Sequence, residues 1–467
     1  QRLARRWPFA TAHLASTFPV RLVFVIGLLI TVSLVLVSPF LPHPVLLPLA
    51  LLLIALPAML SLAAIMELRS RPAPPPDWST DDAELPIYSV LIPLRDEAHM
   101  VPQLAQAMLA LDYPAARLDI KFVVEARSAH TVAAVHAALN HAQFSLVCVP
   151  DAMPRTKPKA LDFALPLCRG EYVVVFDAED RPEPSQLRYA ALRFRQRPAV
   201  HCIQAELVID NAREAPLAAL FAGEYAGLFG VKLPALARWG LPVPLGGTSN
   251  HFRTATLREI GGWDAYNVTE DADLGVRLAR LRLKVETIPV ATFEAAPTTL
   301  RSWLSQRTRW MKGWMQTFIV HNRHPWRALA EMGWWPFLAF EVMALGQILA
   351  PLLHTGFLLL NLARLALNLS LLGPLEADWP LLYPAMFLFG YAAAVLLTLA
   401  GLFRLRGQRP VLVQLLLPIY WLLISLATLL ALLDLLKRPF YWAKTTHQLT
   451  LNAEPPSPLG QSRRPLR

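Results

Sequence analysis

The chain has 467 residues, 55% of them hydrophobic and only 17% charged, with a mean hydropathy of +0.38. Soluble domains carry about 25% charged residues, so this composition argues against a wholly soluble protein and puts a large share of the chain in lipid. The net charge of +10 is spread among loops and helix ends, which fits positive-inside anchoring and attraction to anionic lipid rather than nucleic-acid binding.

Residues 1–20 form a basic leader (Arg2, Arg5, Arg6) expected on the cytoplasmic side. Apolar runs at 21–41 and 44–66 are each long enough to cross a bilayer, a hairpin over 21–67 that turns at Pro39, Pro42 and Pro44. No signal peptide is expected, because the first run is too long and a second follows. Arg69 and Arg71 place both ends of the hairpin inside, and 68–84 reads as a Pro-rich linker.

From Leu85 to residue 300 the pattern changes to short apolar runs between helical stretches. Residues 87–93, 121–125 and 172–177 are predicted strands; 99–111 and 129–142 are predicted helices. Apolar strands separated by helices imply a mostly parallel sheet covered on both faces. Ligands of such sheets gather at the carboxyl ends of the strands, where Asp96, Glu125 and Asp177 fall. Cys148, Cys168 and Cys202 form no CxxC pair, so they are expected as free thiols in a reducing cytoplasm.

Beyond this region Trp303, Trp310, Trp314 and Phe318 recur at helical spacing. Residues 301–334 are therefore predicted to lie in the membrane interface, rings toward lipid headgroups, with an ordinary core helix as the alternative. Residues 335–436 are strongly apolar and read as three or four membrane helices. Four is preferred, because it returns the basic tail, 437–467, to the cytoplasm.

Three polar islands carry candidate chemistry. Asp177-Ala178-Glu179-Asp180 places carboxylates at a strand end, able to share a hard cation such as Mg²⁺ or Mn²⁺. Thr269-Glu270-Asp271 is equally readable as the acidic first turn of a helix or as a catalytic acid set. Gln306-Arg307-Thr308-Arg309-Trp310 joins guanidiniums that can fork onto phosphate with an indole on which a sugar can stack. An acid able to take a proton, beside cations able to hold a diphosphate, suits transfer from a nucleotide-activated donor.

These motifs, in this order and flanked by membrane helices, resemble family-2 glycosyltransferases of the processive, cellulose-synthase-like type over about residues 85–320. The resemblance implies an α/β GT-A domain inserted between transmembrane helices. It assigns Asp96, Glu97 and Glu125 to the nucleotide, Asp177, Glu179 and Asp180 to a Mg²⁺ or Mn²⁺ ion, and Asp271 to the general base. Gln306, Arg309 and Trp310 would line the acceptor and diphosphate, with Glu270, Asn250 and His251 on the acceptor side. Lys159, from Lys157-Pro158-Lys159, would lie near the donor; Lys444, from Trp442-Ala443-Lys444-Thr445-Thr446-His447, belongs to a segment that closes over the nucleotide. The sequence departs from the family pattern in two places: the metal motif reads Asp-Ala-Glu, and Glu125 is followed by Ala126-Arg127-Ser128 rather than a second acid.

The implied activity is inverting, processive polymerisation of a UDP-activated hexose, glucose first, into a β-linked polysaccharide exported through a bacterial inner membrane. Its partners are the donor, the growing polysaccharide, the bilayer and further export subunits. Transfer of a single sugar to a lipid-linked acceptor is the alternative. An inactive export subunit fits poorly with the complete acid set.

Overall fold

The computed structural model describes residues 2–41, 43–68, 76, 78, 80–366, 381–405 and 409–442. Two long apolar helices, α1 (Phe18–Val37) and α2 (Leu47–Glu67), precede the sheet domain. Ahead of them the basic leader is docked rather than free. Leu3, Ala10, Ala12 and Ala15 are buried, and Asp264 accepts hydrogen bonds from the Thr11 hydroxyl at 3.0 Å and the Ala12 N–H at 2.6 Å. Most of the predicted linker lies outside the described residues.

The domain then runs β1 (Tyr88–Leu94), α3 (Val101–Leu109), β2 (Leu118–Glu125), α4 (Ala129–Ala138), β3 (Phe144–Val149), α5 (Lys157–Ala164), β4 (Tyr172–Val175), β5 (Arg181–Pro182), α6 (Gln186–Gln196) and β6 (Val200–Ile209). It continues through α7 (Pro216–Gly227), α8 (Leu233–Arg238), β7 (Asn250–Arg253), α9 (Glu270–Arg280) and β8 (Lys284–Glu294). The sheet order is β3-β2-β1-β4-β7-β6-β8-β5. β1, β2, β3 and β4 pair in parallel, as do β6 and β8, whereas β7 runs antiparallel to both β4 and β6. Leu94 pairs with Val124 and Leu91 with Val175, so the carboxyl ends of β1, β2 and β4 open on one edge. β1, β2 and β4 are almost wholly buried, as helices on both faces require.

Two local features aim the chain at that edge. The Thr156 side chain caps α5 through the Lys159 N–H, satisfying a donor that the helix start leaves open. α9 has Glu270, Asp271 and Asp273 in its first turn and Arg277 and Arg280 in its last, complementing the helix dipole at both ends. It also packs closely: a Cβ at Gly275 would stand 1.9 Å from the Val243 carbonyl oxygen.

Next come α10 (Leu300–Asn322), α11 (Pro325–Met332), α12 (Trp334–Ala366), α13 (Leu382–Arg404) and α14 (Leu412–Lys437). With α1 and α2, the last three make five helices long and apolar enough to cross a membrane among the described residues. Three of them follow the sheet domain among the described residues, where the sequence reading preferred four. α14 runs beside α10: Trp303 bonds Tyr420, Lys312 bonds Asp434 and the Tyr441 carbonyl, and Gln316 bonds the Pro439 carbonyl. Residues 438–442 thus lie against α10.

The aromatic rows of α10 correct the sequence reading. Trp303 is fully buried, and Trp310, Trp314 and Phe318 pack on the cluster shared with the membrane helices. Spacing alone cannot separate a lipid-facing stripe from a core-facing one. The exposed rings that follow α10 are Trp326, Trp334 and Trp335, at 81%, 69% and 51%, at the start of α11 and α12.

Gly275→Ala should destabilise the domain by about 1–3 kcal/mol, since the added methyl has no room. An unchanged thermal unfolding midpoint in detergent would show that α9 has slack against residues 243–245.

Candidate active site

One cavity of about 460 Å³ joins the carboxyl edge of the sheet to the membrane helices. Glu97, Glu125, Asp177, Glu179, Glu270, Asp271, Gln306, Arg309, Trp310 and Trp442 all line it. Gly247 lines it too, where a Cβ would stand 3.3 Å from Asp271 Oδ2, 3.7 Å from Lys157 Nζ and 3.8 Å from Asp177 Oδ2. A glycine there leaves room for a reacting group among an acid, a cation and a second acid.

Asp271 sits in the first turn of α9, one Oδ accepting the Ala272 N–H at 2.8 Å. Burial pushes its carboxyl above the usual range, opposed by that N–H, Lys157 and Arg309. Burial and the neighbouring Asp271 raise Glu270 to about 7.

Lys157 was expected only as part of a segment whose Lys159 approached the donor. The structure reverses the two. Lys157 Nζ lies 2.5 Å from Asp177 and donates to the Gly247 carbonyl at 2.6 Å. Lys159 lies 3.6 Å from Glu125, donates to the Pro150 and Ala152 carbonyls and does not line the cavity. Two residues apart on a helix turn about 200° around its axis, so only one lysine of the pair can face inward.

Asp96 also lies off the cavity wall. Its backbone is left-handed (φ 54°) and its carboxylate accepts from Ser128 at 2.8 Å, with the side chain 56% exposed. Asn250 and His251, expected on the acceptor side, are buried in the sheet instead. Antiparallel pairing of β7 with β4 sets Asn250 against Val175 and His251 against Val174. His251 Nδ1 meets the Tyr88 hydroxyl at 2.7 Å, and Asn250 donates to the Gly246 carbonyl. Asn250 therefore braces the loop that holds Gly247. Lys444 lies outside the described residues.

The acidic loop divides its labour. Asp177 and Glu179 line the cavity, whereas Asp180 turns inward, accepting the Asp177 N–H at 2.6 Å and the Thr248 hydroxyl. Both bonds use Oδ2, so Asp180 lies off the cavity wall with its Oδ1 lacking a hydrogen-bond partner among the described residues. Sequence reasoning missed Glu294, which ends β8 and lines the same cavity, its Oε1 without a hydrogen-bond partner among the described residues. Burial, then Asp180, Glu179 and Asp177, push its carboxyl well up. A carboxylate at the end of a parallel strand was the available signal. No three His, Cys, Asp or Glu side chains form a ready cage among the described residues. Still, Asp177, Glu179 and the unpartnered Glu294 offer the oxygen donors a hard divalent cation takes alongside phosphate.

On the opposite wall the Gln306–Trp310 box splits by helix face. Arg309 faces inward, with Nε unpartnered among the described residues and its guanidinium 5.2 Å over the Trp442 ring. Gln306 Oε1 is likewise unpartnered. Arg307 points into the protein, forking onto Glu224 at 2.6 and 2.5 Å, bonding Tyr420 and lying 4.8 Å over Trp310. The Trp310 ring stacks on Tyr225 and packs against Phe221. Arg307 is thus a positioning residue that fixes the indole.

Glu224→Ala would leave the Arg307 guanidinium buried and unpaired, at a cost on the order of 3 kcal/mol. The double replacement Glu224→Leu with Arg307→Met should recover most of that loss, because no lone charge remains. Chemical denaturation of the purified protein reads both values, and equal losses in the two would contradict the seam described.

The sequence profile of Glycosyl transferase family group 2 matches residues 172–435. A probable glycosyltransferase, YdaM, of Bacillus subtilis (strain 168) is 28% identical over 241 residues, 51% of this chain and 57% of its own. The beta-monoglucosyldiacylglycerol synthase of Trichormus variabilis is 28% identical over 244 residues, half of each chain. The poly-beta-1,6-N-acetyl-D-glucosamine synthase of Staphylococcus epidermidis is 23% identical over 226 residues, 48% of this chain and 54% of its own. The chain thus spans about half the length of these curated relatives. Among solved structures, the Pyrobaculum calidifontis mannosyltransferase in complex with GDP-Man and Mn²⁺ superposes with a TM-score of 0.52 at 21% identity. That likeness covers 75% of this chain and 96% of the other, and gives the sheet domain a GT-A fold. The profile takes in more than half of the chain, from β4 to the end of α14, and the protein belongs to glycosyltransferase family 2.

Proposed function

We propose that the protein transfers a hexosyl unit from a UDP-activated donor, glucose first, to an acceptor hydroxyl with inversion, giving a β-linkage. The observation that carries this reading is the single cavity in which Asp271, Asp177 and Trp310 meet. Asp271 takes the proton of the acceptor hydroxyl as its oxygen attacks the anomeric carbon. Lys157 and Arg309 hold the diphosphate as charge builds on it. Glu97 and Glu125, at the ends of β1 and β2, face the nucleoside. Trp310, with Gln306, presents the acceptor so that one hydroxyl faces the donor.

Asp177 and Glu179, with Glu294 beside them, would hold Mg²⁺ or Mn²⁺. The ion would neutralise charge on the leaving diphosphate. The membrane helices and basic leader support a bacterial inner-membrane location with the sheet domain on the cytoplasmic side. The QxxRW box and the likeness to a poly-N-acetylglucosamine synthase support processive extension. The likeness to glucosyldiacylglycerol synthases supports a single transfer to lipid. The two outcomes differ only in what lies beyond Trp310.

Asp271→Asn should lower kcat by about 10²–10⁴-fold, the usual worth of a general base, while UDP binding persists. In the parent protein activity should fall on acidification through a pKa above the usual aspartate value of about 3.9, because burial raises Asp271 and only its ionised form accepts a proton. Nucleoside-diphosphate release across a pH series reads both. An active Asp271→Asn variant, or an acid limb at or below pH 4, would remove Asp271 as the base.

A further inference from the structure

The cavity does not end at Trp310. It continues between α12, α13 and α14, where Met343, Ala350, Ala394, Leu397, Leu417 and Ile424 line it. Among the described residues these three helices give the cavity no charged side chain. Their hydroxyls are already committed, Thr398 donating to the Val395 carbonyl at 2.9 Å and Tyr420 to Glu224 at 2.9 Å, which leaves the Gln347 amide and the Trp421 indole as the polar groups these helices offer a ligand among the described residues. A polysaccharide threaded there would leave most of its hydroxyls without partners, which is costly in an apolar setting. Alkyl chains would gain from the same lining.

Two cations lining this cavity have no assigned task; Arg95 sits beside Asp96 and the Arg155 carbonyl, and the other is Lys232. Lys232 lines the wall at the π-helical turn Leu228–Lys232 that joins α7 to α8. Such turns often mark functional positions. The turn packs on the membrane helices: Val231 clusters with Ala64, and a Cβ at Gly230 would meet Leu405. Lys157 and Arg307 each hold a carboxylate, but the Lys232 side chain has no hydrogen bond or ion pair among the described residues. Burial depresses its ammonium and no carboxylate offsets this. An ammonium left alone beside an apolar cavity is matched by an anion with an apolar body.

We propose that this half of the cavity seats an anionic glycerophospholipid bearing a free headgroup hydroxyl, its acyl chains against α12–α14 and its phosphate at Lys232, as the acceptor for a single sugar. The proposal rests on the transferase reading above and names its acceptor. The hydroxyl oxygen forms the new bond to the anomeric carbon, and the bond from that carbon to the diphosphate oxygen breaks. UDP leaves with the electron pair, and the proton passes to Asp271. A lipid phosphate monoester is the poorer acceptor, because its oxygen is already ionised and would leave the base idle.

The test uses the full chain in phosphatidylcholine nanodiscs with Mg²⁺ or Mn²⁺ and, in turn, UDP-glucose, UDP-N-acetylglucosamine and GDP-mannose. Separate arms add phosphatidylglycerol, diacylglycerol or a polyprenyl phosphate. The expected product is organic-extractable, carries one sugar and forms in the phosphatidylglycerol arm. Lys232→Gln should raise KM for that lipid by about tenfold, the worth of one charge-assisted contact, more than it lowers kcat, and Lys232→Arg should restore it. A long water-soluble polymer overturns the proposal. So does equal glycosylation of diacylglycerol or polyprenyl phosphate, or an unchanged KM in Lys232→Gln. Nucleotide release without glycolipid overturns the acceptor alone, whereas no release from any donor overturns the transferase reading beneath it.

Discussion

Too many carboxylates share one poorly solvated space. Asp177, Glu179, Glu270, Asp271 and Glu294 line a cavity in which Lys157 and Arg309 are the inward-facing cations near Asp271. Like charges in such a setting raise one another's pKa, and Glu270 and Glu294 show it. The arrangement makes chemical sense only for a ligand that brings its own balance of charge. A nucleoside diphosphate with a divalent cation does so. The pocket is therefore stabilised by what it binds, and the surrounding fold keeps the acids from rearranging in its absence. Asp180 and Thr248 lock the acidic loop, and Lys157 bridges Asp177 to the Gly247 carbonyl.

That fold has a seam, between sheet domain and membrane helices, and the seam is polar at one point. Arg307, Glu224, Tyr420 and Trp303 form a hydrogen-bonded knot. It ties α7, α10 and α14 together and holds Trp310 against Tyr225 and Phe221. Buried ion pairs are rarely worth much as stability; here the knot seats the Trp310 indole between Arg307, Tyr225 and Phe221. The sheet domain and the membrane helices that wall the cavity are thus joined at this knot.

Much of this was legible in the sequence. The apolar runs that became β1, β2 and β4 announced themselves, and their carboxyl ends led to Glu125 and Asp177. Asp271 and Trp310 were legible because acid, cation and indole fell in order. What failed had a common cause: residue type does not say which way a side chain points. Asn250 and His251 looked like pocket donors, but β7 is a short antiparallel strand whose polar residues fill the sheet interior. Lys157 and Lys159 are indistinguishable as letters and opposed as helix positions. Trp303 has the spacing of a lipid-facing ring and is wholly enclosed. Glu294 was missed because β8 was not predicted as a strand, its burial alternating irregularly through a bulge against β6, so the strand end that would have signalled the carboxylate went unread.

The account's central claim is that donor acids, base and membrane lining form a single continuous chamber. The most direct measurement is an electron cryo-microscopy map of the Asp271→Asn protein in lipid nanodiscs with UDP-glucose and Mn²⁺. The account predicts the diphosphate between Asp177 and Arg309, its sugar facing position 271, and ordered lipid density reaching from α12–α14 toward Trp310. A nucleotide seated elsewhere, or a protein wall between it and the membrane helices, would contradict it.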